Sequence, residues 1–348
     1  MNTLIHIIPT VQNGGAETVL TRLVEEWQKK GFNQVVMTIQ GKETDHNHNH
    51  LSTYCTVIHT QGESEKSIQC LKDNPKAKIL AWMYKGIRKA YQWRKIAKSE
   101  QEIIWNIRRS YFRKYEWKQH LGLFAYGIFS QWQKPRIIFC AHVAKKAHRS
   151  YGFYQSKSRV IGNKLAKKRT KRLPTLPTLP ENFLVYIGRY NMAKGPDRLL
   201  RIMENYLEQG GELPLVIAGR GWENIPVSKR LKKHIYFLGN VDAVEVLYQR
   251  AAAFLFTSYT EGYPNVVVEA VSNGTPVIGF EAGDSRYILA DYPLGHTVAS
   301  EAEFLSQLKG LLHSPPSLED RQKEAAKQLK KLEFSLTVKE YEEFIWND

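Results

Sequence analysis

The chain has 348 residues, of which 43% are hydrophobic and 24% are charged, and its formal net charge is +16. The length predicts two domains, because a single hydrophobic core rarely grows beyond about 250–300 residues. No apolar run approaches the ~20 residues of a membrane span, so any membrane contact is expected to be peripheral, and the positive charge predicts an anionic partner: nucleic acid, an acidic lipid surface or a phosphorylated substrate.

The first residues predict a β-α-β unit. The segment "LIHIIPT" at residues 4–10 has no basic residues before its apolar run, so it is interpreted as a strand and not as a signal peptide. A Gly-Gly turn follows, and then a helix at residues 16–31 whose apolar residues recur at helical spacing. Later apolar runs predict further strands of a parallel sheet: "QVVMTI", "KILAWM", "EIIWNIR" and "RIIFCAHV".

The cysteines and histidines of this half do not predict a metal site. Three cysteines, Cys55, Cys70 and Cys140, lack CxxC or metal-ligand spacing, which favours a reducing cytosol. The stretch "DHNHNHL" at residues 45–51 spaces three histidines by two, but such tracts in polar surroundings are more typical of loops. We therefore expect no metal and no cofactor.

The middle of the chain is strongly basic. The segment "GIRKAYQWRKIAK" interleaves Tyr91 and Trp93 with five cations, and no Asp or Glu occurs between Trp117 and Pro180. Basic clusters with aromatic residues suit an anionic membrane surface. Two alternatives are a basic surface that only keeps the protein dissolved and a stacking groove for nucleic acid. No RRM, helix-turn-helix or zinc pattern supports the last one, so we expect no nucleic acid partner.

A second α/β pattern follows the Pro-spaced segment "LPTLPTLP", which predicts an extended linker. Strands and helices alternate from "FLVYIG" to "TPVIGF" and predict a second doubly wound sheet. The predicted organisation is an N-terminal domain (1–173), a linker (174–180), a C-terminal domain (181–330) and a C-terminal helix (331–348).

Two loops of the second half carry candidate site residues, because ligands of open α/β sheets bind outside the carboxyl ends of the strands. In "YIGRYNMAKGPD", Arg189 and Lys194 lie between a strand and a helix N-terminus, which predicts a diphosphate site. The alternative is a solvated loop with two surface cations. The turn in "VIAGRG" is a weaker signal of the same kind.

The second loop lies in "TSYTEGYPNVVVEAVSNGTPVIG", residues 257–279, which places Glu261 and Glu269 eight positions apart. Glu261 falls in a loop, and Glu269 falls about one turn into a helix that starts at Pro264 or Asn265. A carboxylate there is either stabilised by the helix dipole or accepts hydrogen bonds from a vicinal diol such as a ribose. The spacing alone leaves both possibilities open.

The order "GGAE … GRYNMAKG … IYFLGNV … TSYTEGYPNVVVEAVSNGTPVIG" resembles the retaining family-4 glycosyltransferases of the GT-B fold, most strongly over residues 184–288. The resemblance implies an α/β fold with two Rossmann-like, doubly wound domains that face each other across a cleft and bind a nucleotide-sugar between them. The segments "WMY", "IIWNIRRS" and "FSLTVKEYEEFIWND" resemble the subset that makes bacterial surface polysaccharides. In that pattern the last helix returns to the N-terminal domain.

The resemblance also implies residue roles. Glu269 would hold the donor ribose, so that its partner is ligand and not protein, and Glu261 would face the hydroxyls of the donor sugar. Arg189 and Lys194 would neutralise the diphosphate, and with Glu261 they form the predicted catalytic set. The other predicted donor-binding residues are Gly14, Gly15, Glu17, Gly188, Gly239, Asn240, Val241, Gly262, Tyr263, Pro264 and Asn265.

The acceptor side departs from the family pattern. Arg108 stands where many relatives have a histidine, and an arginine contributes charge but cannot act as a base. Relatives also have Asn-Gly where this chain has "VIGNKL". Arg108 and Trp82 are the acceptor-side candidates. No side chain is predicted as the base; in this family a donor phosphate oxygen is proposed to take the acceptor proton.

The predicted function is transfer of a hexose, with retention, from a nucleotide-sugar (UDP-sugar) to a lipid-linked glycan in lipopolysaccharide, O-antigen or capsule biosynthesis. The predicted location is peripheral, on the cytoplasmic face of the inner membrane. The alternatives are a GT-B sugar-nucleotide epimerase or phosphorylase, and a non-enzymatic basic binding protein. The sequence does not specify the sugar, the linkage or the oligomeric state.

Overall fold

The computed structural model describes residues 3–12, 14–60, 64–110, 117–164, 179–223, 225–241 and 244–347. The chain divides into two compact units. Unit 1 comprises Met1–Asn163 and Thr337–Asp348, and unit 2 comprises Lys164–Leu336. Most of the predicted linker at 174–180, and the cations between 165 and 172, lie outside the described residues.

In the described part of unit 1, seven parallel strands form one sheet in the order β3-β2-β1-β4-β5-β6-β7. The strands are β1 (Thr3–Ile8), β2 (Asn33–Thr38), β3 (Thr56–His59), β4 (Lys78–Trp82), β5 (Ile103–Ile107), β6 (Ile137–Phe139) and β7 (Ser158–Val160). The helices are α1 (Gly15–Lys29), α2 (His48–Ser52), α3 (Glu65–Asp73), α4 (Met83–Ala97), α5 (Trp117–Gln133) and α6 (His142–Arg149).

The apolar runs predicted as strands in this unit are confirmed, with one correction. "RIIFCAHV" supplies only a three-residue strand, because α6 begins at His142 and takes the end of the run into a helix. Strand β5 is buried along its whole length, as a strand covered on both faces must be. Strand order reverses between β1 and β4, so the crevice of this sheet lies outside the carboxyl ends of those two strands.

The helices of unit 1 cover both faces of the sheet. Because strands β4 to β7 advance in one direction across the sheet, right-handed crossovers place α4, α5 and α6 on the same face. Ring contacts confirm this arrangement. Tyr91 of α4 lies 4.8 Å from Phe129 of α5, and Phe124 of α5 lies 5.0 Å from Tyr151, just after α6.

In the described part of unit 2, six parallel strands form the order β10-β9-β8-β11-β12-β13, which confirms the second doubly wound sheet. The strands are β8 (Leu184–Ile187), β9 (Leu215–Ala218), β10 (Ile235–Phe237), β11 (Ala253–Phe256), β12 (Val277–Phe280) and β13 (Gly295–Val298). The helices are α7 (Pro196–Glu208), α8 (Lys229–Lys232), α9 (Glu245–Arg250), α10 (Asn265–Ser272), α11 (Ser285–Leu289), α12 (Glu301–His313) and α13 (Leu318–Lys331). The order reverses between β8 and β11, and two apolar clusters form the core.

The last helix, α14 (Phe334–Glu342), continues as a π-helical turn at Glu343–Asn347, and from Thr337 onward it belongs to unit 1. The Tyr341 ring is fully buried, and its hydroxyl accepts a 3.0 Å hydrogen bond from the Asn106 amide. Arg136 donates to the carbonyls of Phe344 at 2.6 Å and Ile345 at 2.9 Å. These bonds provide donors for carbonyls that have no hydrogen-bond partner within the helix, because they lie at its end.

In the described parts of the chain, no helix combines the length and the apolarity that crossing a bilayer requires.

Candidate functional site

The loops after β8 and β11 meet at the point where the strand order of unit 2 reverses. The Tyr259 N–H donates to Ala193 O at 2.9 Å, and the Thr257 hydroxyl donates to Gly195 O at 3.1 Å. These bonds join the two loops that carry the predicted cations and the first predicted glutamate. The meeting point is the crevice position at which doubly wound sheets bind ligands.

Gly195 makes this junction possible. Its φ is +64°, a conformation that a side chain disfavours, and a Cβ at this position would lie 2.0 Å from Thr257 O. Immediately before it, the Asn191 side chain accepts from the Ala193 N–H and caps a short 3₁₀ turn that ends at Lys194. The direction of Lys194 is therefore fixed by the backbone on both sides.

Lys194 and Glu261 form an ion pair in this junction. The Lys194 Nζ lies 2.6 Å from Glu261 Oε1, and the Ser258 hydroxyl donates to the same oxygen at 2.9 Å. The Glu261 side chain is 12% exposed and the Lys194 side chain is 32% exposed. An ammonium has three donors and a carboxylate has about four acceptor positions, so both groups keep capacity for a ligand. Ser258 was not among the residues predicted from the sequence.

Tyr186 lies beneath the pair, and its hydroxyl donates to Lys194 O at 3.3 Å. Burial, and then the nearby charge of Glu261, raise the pKa of Tyr186 above its usual value. The phenol therefore remains a protonated donor that supports the loop.

Glu269 lies on α10, in the helix predicted for it, and its surroundings correct one expectation. The resemblance gave its partner as ligand and not protein, but the hydroxyl of Tyr248 shares its proton between Val266 O at 3.1 Å and Glu269 Oε2 at 3.3 Å. Burial, followed by the charge of Glu269, raises the pKa of Tyr248 well above its usual value, so this group stays a donor. Glu269 therefore has a hydrogen-bond partner within the protein.

The start of α10 presents a further acceptor. Asn265 is the first residue of the helix, and its Oδ1 is buried with no hydrogen-bond partner among the described residues. Pro264 precedes it as the N-cap. Gly262 O accepts from the Asp284 N–H at 2.9 Å, which ties this loop to the one after β12. Tyr263 packs against the apolar core of the unit.

The neighbouring loops bring the remaining predicted residues of unit 2 to the same sheet edge. Gly188 O accepts from the Trp222 indole at 2.9 Å, and Gly239 O accepts from the Gly219 N–H at 2.6 Å. The Arg189 side chain is exposed beside Gly188. Asn240 is exposed, and Val241 packs partly on the core. Trp222 was not predicted, because the glycine-rich turn "VIAGRG", which contains Gly219, does not by itself identify its packing partners.

In unit 1, the predicted residues Gly14, Gly15 and Glu17 lie at the start of α1, outside the carboxyl end of β1. A Cβ on Gly14 would lie 2.4 Å from Glu17 Oε2, whereas Gly15 faces open space. Burial raises the pKa of the Glu17 carboxyl. These residues lie at the crevice position of their own sheet, and their part in donor binding stays a prediction.

The two acceptor-side candidates are held by the core of unit 1. Trp82 is fully buried and its indole donates to His6 Nδ1 at 3.3 Å, which leaves no exposed surface for direct contact with an acceptor. Arg108 is half-buried and donates to the hydroxyl of Tyr341 at 3.1 Å and to Asn163 Oδ1. Its guanidinium lies 6.0 Å from the Trp82 ring centre. Arg108 thus ties the C-terminal helix to the edge of the sheet.

The crevice of unit 2 therefore combines an ammonium, two carboxylates, an unsatisfied amide oxygen and a helix N-terminus. The ammonium and the helix N-terminus favour an anion such as a diphosphate. The carboxylates and the amide oxygen accept hydrogen bonds from hydroxyl groups. A ligand that has both a diphosphate and several hydroxyls matches this set.

Comparison with known proteins agrees with this chemistry. Residues 167–329 match the family described as Glycosyl transferases group 1. The lipopolysaccharide core biosynthesis mannosyltransferase LpcC of Rhizobium leguminosarum bv. viciae is 29% identical over 152 residues, which cover 40% of this chain and 43% of that protein. The chain thus aligns with less than half of the length of this relative.

Solved structures extend the likeness to the whole fold. HepE from Anabaena, solved in complex with UDP, has a TM-score of 0.77 at 15% identity, over 100% of both chains. The lipopolysaccharide outer core galactosyltransferase WaaB has a TM-score of 0.70 at 14% identity, over 99% of both chains. The predicted GT-B fold with two Rossmann-like units is confirmed.

Proposed function

We propose that this chain, whose second unit carries a Glycosyl transferases group 1 domain, is a retaining glycosyltransferase that moves a hexose from a nucleotide-sugar to a lipid-linked glycan. The observation that carries the proposal is the Lys194–Glu261 pair, which lies 2.6 Å apart at the strand-order reversal of that domain. The anion-binding and hydroxyl-binding groups of the crevice match the two halves of such a donor.

The donor is proposed to be a UDP-sugar. Lys194 and the exposed Arg189 would neutralise the diphosphate and stabilise the charge that develops on the leaving nucleotide. Glu269, steadied by the Tyr248 hydroxyl, would accept from the ribose hydroxyls, and Glu261 would accept from the sugar. The nucleobase of the donor would contact the backbone of Gly239–Val241. The UDP complex of the structurally similar HepE supports this choice of nucleotide.

Two cationic side chains would take the place of a divalent metal at the diphosphate. Because Lys194 is already fixed by the loop backbone, it can stabilise the leaving group without reorganisation. We therefore propose that transfer needs no metal, so that a chelator leaves the rate unchanged. The transfer is proposed to retain the anomeric configuration. A donor phosphate oxygen would take the proton of the acceptor hydroxyl, since Arg108 cannot accept a proton.

The acceptor is proposed to be a lipid-linked saccharide presented at an anionic membrane, on its cytoplasmic face. LpcC and WaaB act in lipopolysaccharide biosynthesis, which supports a surface-polysaccharide pathway. The cations of unit 1 support an acidic lipid surface, because polybasic segments are attracted to such surfaces.

The test is a panel of nucleotide-sugars incubated with the purified full chain, with donor hydrolysis and thermal protection as the measurements. We expect UDP and one UDP-sugar to protect the protein, and Glu269→Ala to weaken UDP binding about 10–100-fold, by loss of one or two hydrogen bonds to a charged group. Glu208→Ala, a change at a glutamate whose side chain is 55% exposed at the end of α7, is the matched control and should bind UDP normally.

Failure of every nucleoside diphosphate to bind would contradict the proposal. Release of a sugar phosphate would indicate a phosphorylase instead, and conversion of the donor without an acceptor would indicate an epimerase. A non-enzymatic basic protein would be indicated by two results together. Glu269→Ala would leave function unaltered, and only high salt would abolish binding to the anionic partner.

A further inference from the structure

Helix α5 exposes a continuous apolar stripe. It consists of Trp117, Leu121, Phe124, Ile128 and Trp132, and we refer to these five residues as the α5 stripe. Their spacing of three or four residues places them on one face of the helix. Each side chain is between 50% and 77% exposed. Soluble monomers rarely leave such a contiguous apolar patch in water without an interaction that uses it.

The stripe is not the face by which α5 joins the core. That face is occupied by Phe129, whose ring lies 4.8 Å from Tyr91 and 5.9 Å from Trp105. It also carries Gly127, where a Cβ would lie 1.9 Å from Tyr151 O, so helix and loop are in close contact. The helix is therefore seated on the sheet, and the stripe is a second apolar face directed to solvent.

The helices beside the stripe are exclusively cationic. α4, α5 and α6 lie on one face of the sheet, and their sequences contain no Asp or Glu. α4 and α6 together contain eight cations: Lys85, Arg88, Lys89, Arg94, Lys95, Lys145, Lys146 and Arg149. This charge favours an anionic occupant.

A basic cavity lies at the Trp132 end of the stripe. Its volume is about 590 Å³, and Gln133 and Lys134, which follow Trp132 directly, are part of its wall. Within that wall, Glu102 pairs with Arg136 at 2.7 Å and with Lys78 at 3.3 Å. The cations in the wall are Lys78, Arg94, Lys134, Arg136, Lys157 and Arg159. Positive charge remains in excess after the described Glu102 pairs are formed.

We propose that the α5 stripe lies in the interface of a bilayer that contains acidic phospholipids, and that the basic cavity receives a headgroup phosphate. The stripe extends over 16 residues, whose 15 helical steps cover about 22 Å, so it fits along the membrane plane and not across it. Tryptophan at both ends suits the headgroup level. A second copy of the chain is a poor occupant, because the cations of α4 and α6 would then face like charges on the other copy.

This inference extends the proposed function, since a lipid-linked acceptor has to be met at a bilayer. Helix α5 follows the loop after β5, so its Trp117 end lies at the carboxyl edge of the sheet, where Arg108 lies. The membrane surface and the acceptor-side edge of unit 1 are thereby joined through one helix.

The experiment measures co-sedimentation of the full chain with phosphatidylcholine vesicles, with and without phosphatidylglycerol. We expect binding only to the acidic vesicles. The double variant Ile128→Gln, Trp132→Gln should lower the partition coefficient about 100-fold, because two large apolar side chains leave the interface. Lys134→Gln, Lys157→Gln should lower it about 30-fold, because each cation contributes about 1 kcal/mol near an acidic surface. The control Leu318→Gln, at a residue 68% exposed on unit 2, should bind as the parent does.

Equal vesicle binding by the Ile128/Trp132 variant and the parent would overturn the inference. The inference would also be overturned if neither protein bound vesicles and the variant only converted a dimer into a monomer in sedimentation equilibrium. UDP binding by the same variants distinguishes a defect in membrane binding from a defect in the donor site. Loss of vesicle binding with normal UDP binding supports the α5 stripe as the membrane-binding surface. Absence of UDP binding in the parent contradicts the enzyme proposal without bearing on the stripe.

Discussion

The carboxylate of Glu261 accepts two hydrogen bonds on one oxygen, from Lys194 and from Ser258. In a partly buried junction, an intact ion pair contributes little to the free energy of unfolding. Loss of one partner is costly, because it leaves an uncompensated charge. The arrangement also prepares both groups for a ligand. In the proposed function, a diphosphate would share the ammonium with Glu261, whose charge and orientation are already set by the loop.

Lys194→Ala tests this arrangement. Because the ammonium would stabilise charge on the leaving diphosphate, we expect a loss of about 10²–10³ in kcat, the usual cost of removing one preorganised electrostatic group. The measurement is steady-state turnover of the donor identified by the panel. Lys233→Ala, at an exposed lysine of the same unit, is the control. The losses from Lys194→Ala and Glu261→Gln should not add, because the residues are in contact; equal turnover in Lys194→Ala and the parent would exclude the role.

The protonation of His148 is determined by its neighbours. Its Nδ1 lies 2.6 Å from Ala144 O, and a carbonyl only accepts, so Nδ1 carries the proton. Nε2 is then left to accept from the Tyr84 hydroxyl. Burial lowers the pKa of His148 to about 4, and the ring is therefore neutral at physiological pH.

The neutral ring makes unit 1 sensitive to acid. Below pH 6.5 the unfolded chain protonates this histidine while the folded chain does not, so stability falls as the pH drops from 6.5 to about 4 and levels off below that. The shift corresponds to about 3 kcal/mol. We expect His148→Gln to show a smaller fall in Tm between pH 7 and pH 4.5 than the parent. An equal fall in both proteins would show that His148 does not contribute.

At the scale of elements, the junction of the loops after β8 and β11 depends on the missing side chain of Gly195. In Gly195→Ala, a positive φ and a contact of 2.0 Å with Thr257 O both oppose the native backbone. We expect a loss of about 2–5 kcal/mol in the free energy of unfolding, as the sum of the two effects. Donor turnover should fall with it, because Lys194 is the preceding residue.

Gly210→Ala is the matched control, since Gly210 has φ +83° and open space around its Cβ position. It carries only the conformational cost, about 1–2 kcal/mol. Denaturant unfolding of both variants measures the difference. If the two substitutions cost the same, the close approach to Thr257 contributes nothing to the junction.

The elements also show how far the sequence predicts this molecule. Both sheets were predicted because parallel strands buried on two faces have continuous apolar runs, as in β5. The helix that carries Glu269 was predicted from its Pro and Gly boundaries. Helix α5 was not predicted, because a helix that is apolar on two faces lacks the polar stripe that marks an amphipathic helix.

Long-range partners were the other feature that the sequence could not supply. Tyr248 and Glu269 are 21 residues apart and meet only after α9 and α10 pack on one face of the sheet. Trp82 was an acceptor-side candidate, but its indole is directed to His6 in the core. Spacing identifies which residue types occur near a strand end, whereas the direction of each side chain depends on tertiary packing.

At the scale of the whole molecule, the chain leaves unit 1 at Asn163, forms unit 2 and returns to unit 1 at Thr337. The returning segment supplies part of the core of unit 1. Tyr341, Phe344 and Ile345 are buried there, and Asn106 and Arg136 depend on this segment for hydrogen bonds. Unit 1 is therefore completed only after all of unit 2 has been synthesised.

Truncation after Leu336 should accordingly destabilise unit 1 and leave unit 2 folded. Three large buried side chains contribute on the order of 5 kcal/mol or more, a large share of the 5–15 kcal/mol that stabilises a typical domain. Hydrogen exchange measures the outcome: the amides of β5 should lose protection, while those of β11 keep it. Tyr341→Phe keeps the ring and removes only the hydroxyl bonded to Asn106 and Arg108, so it should cost about 1–3 kcal/mol and keep β5 protected. Unchanged protection of β5 in the truncated chain would mean that unit 1 is stable without its last helix.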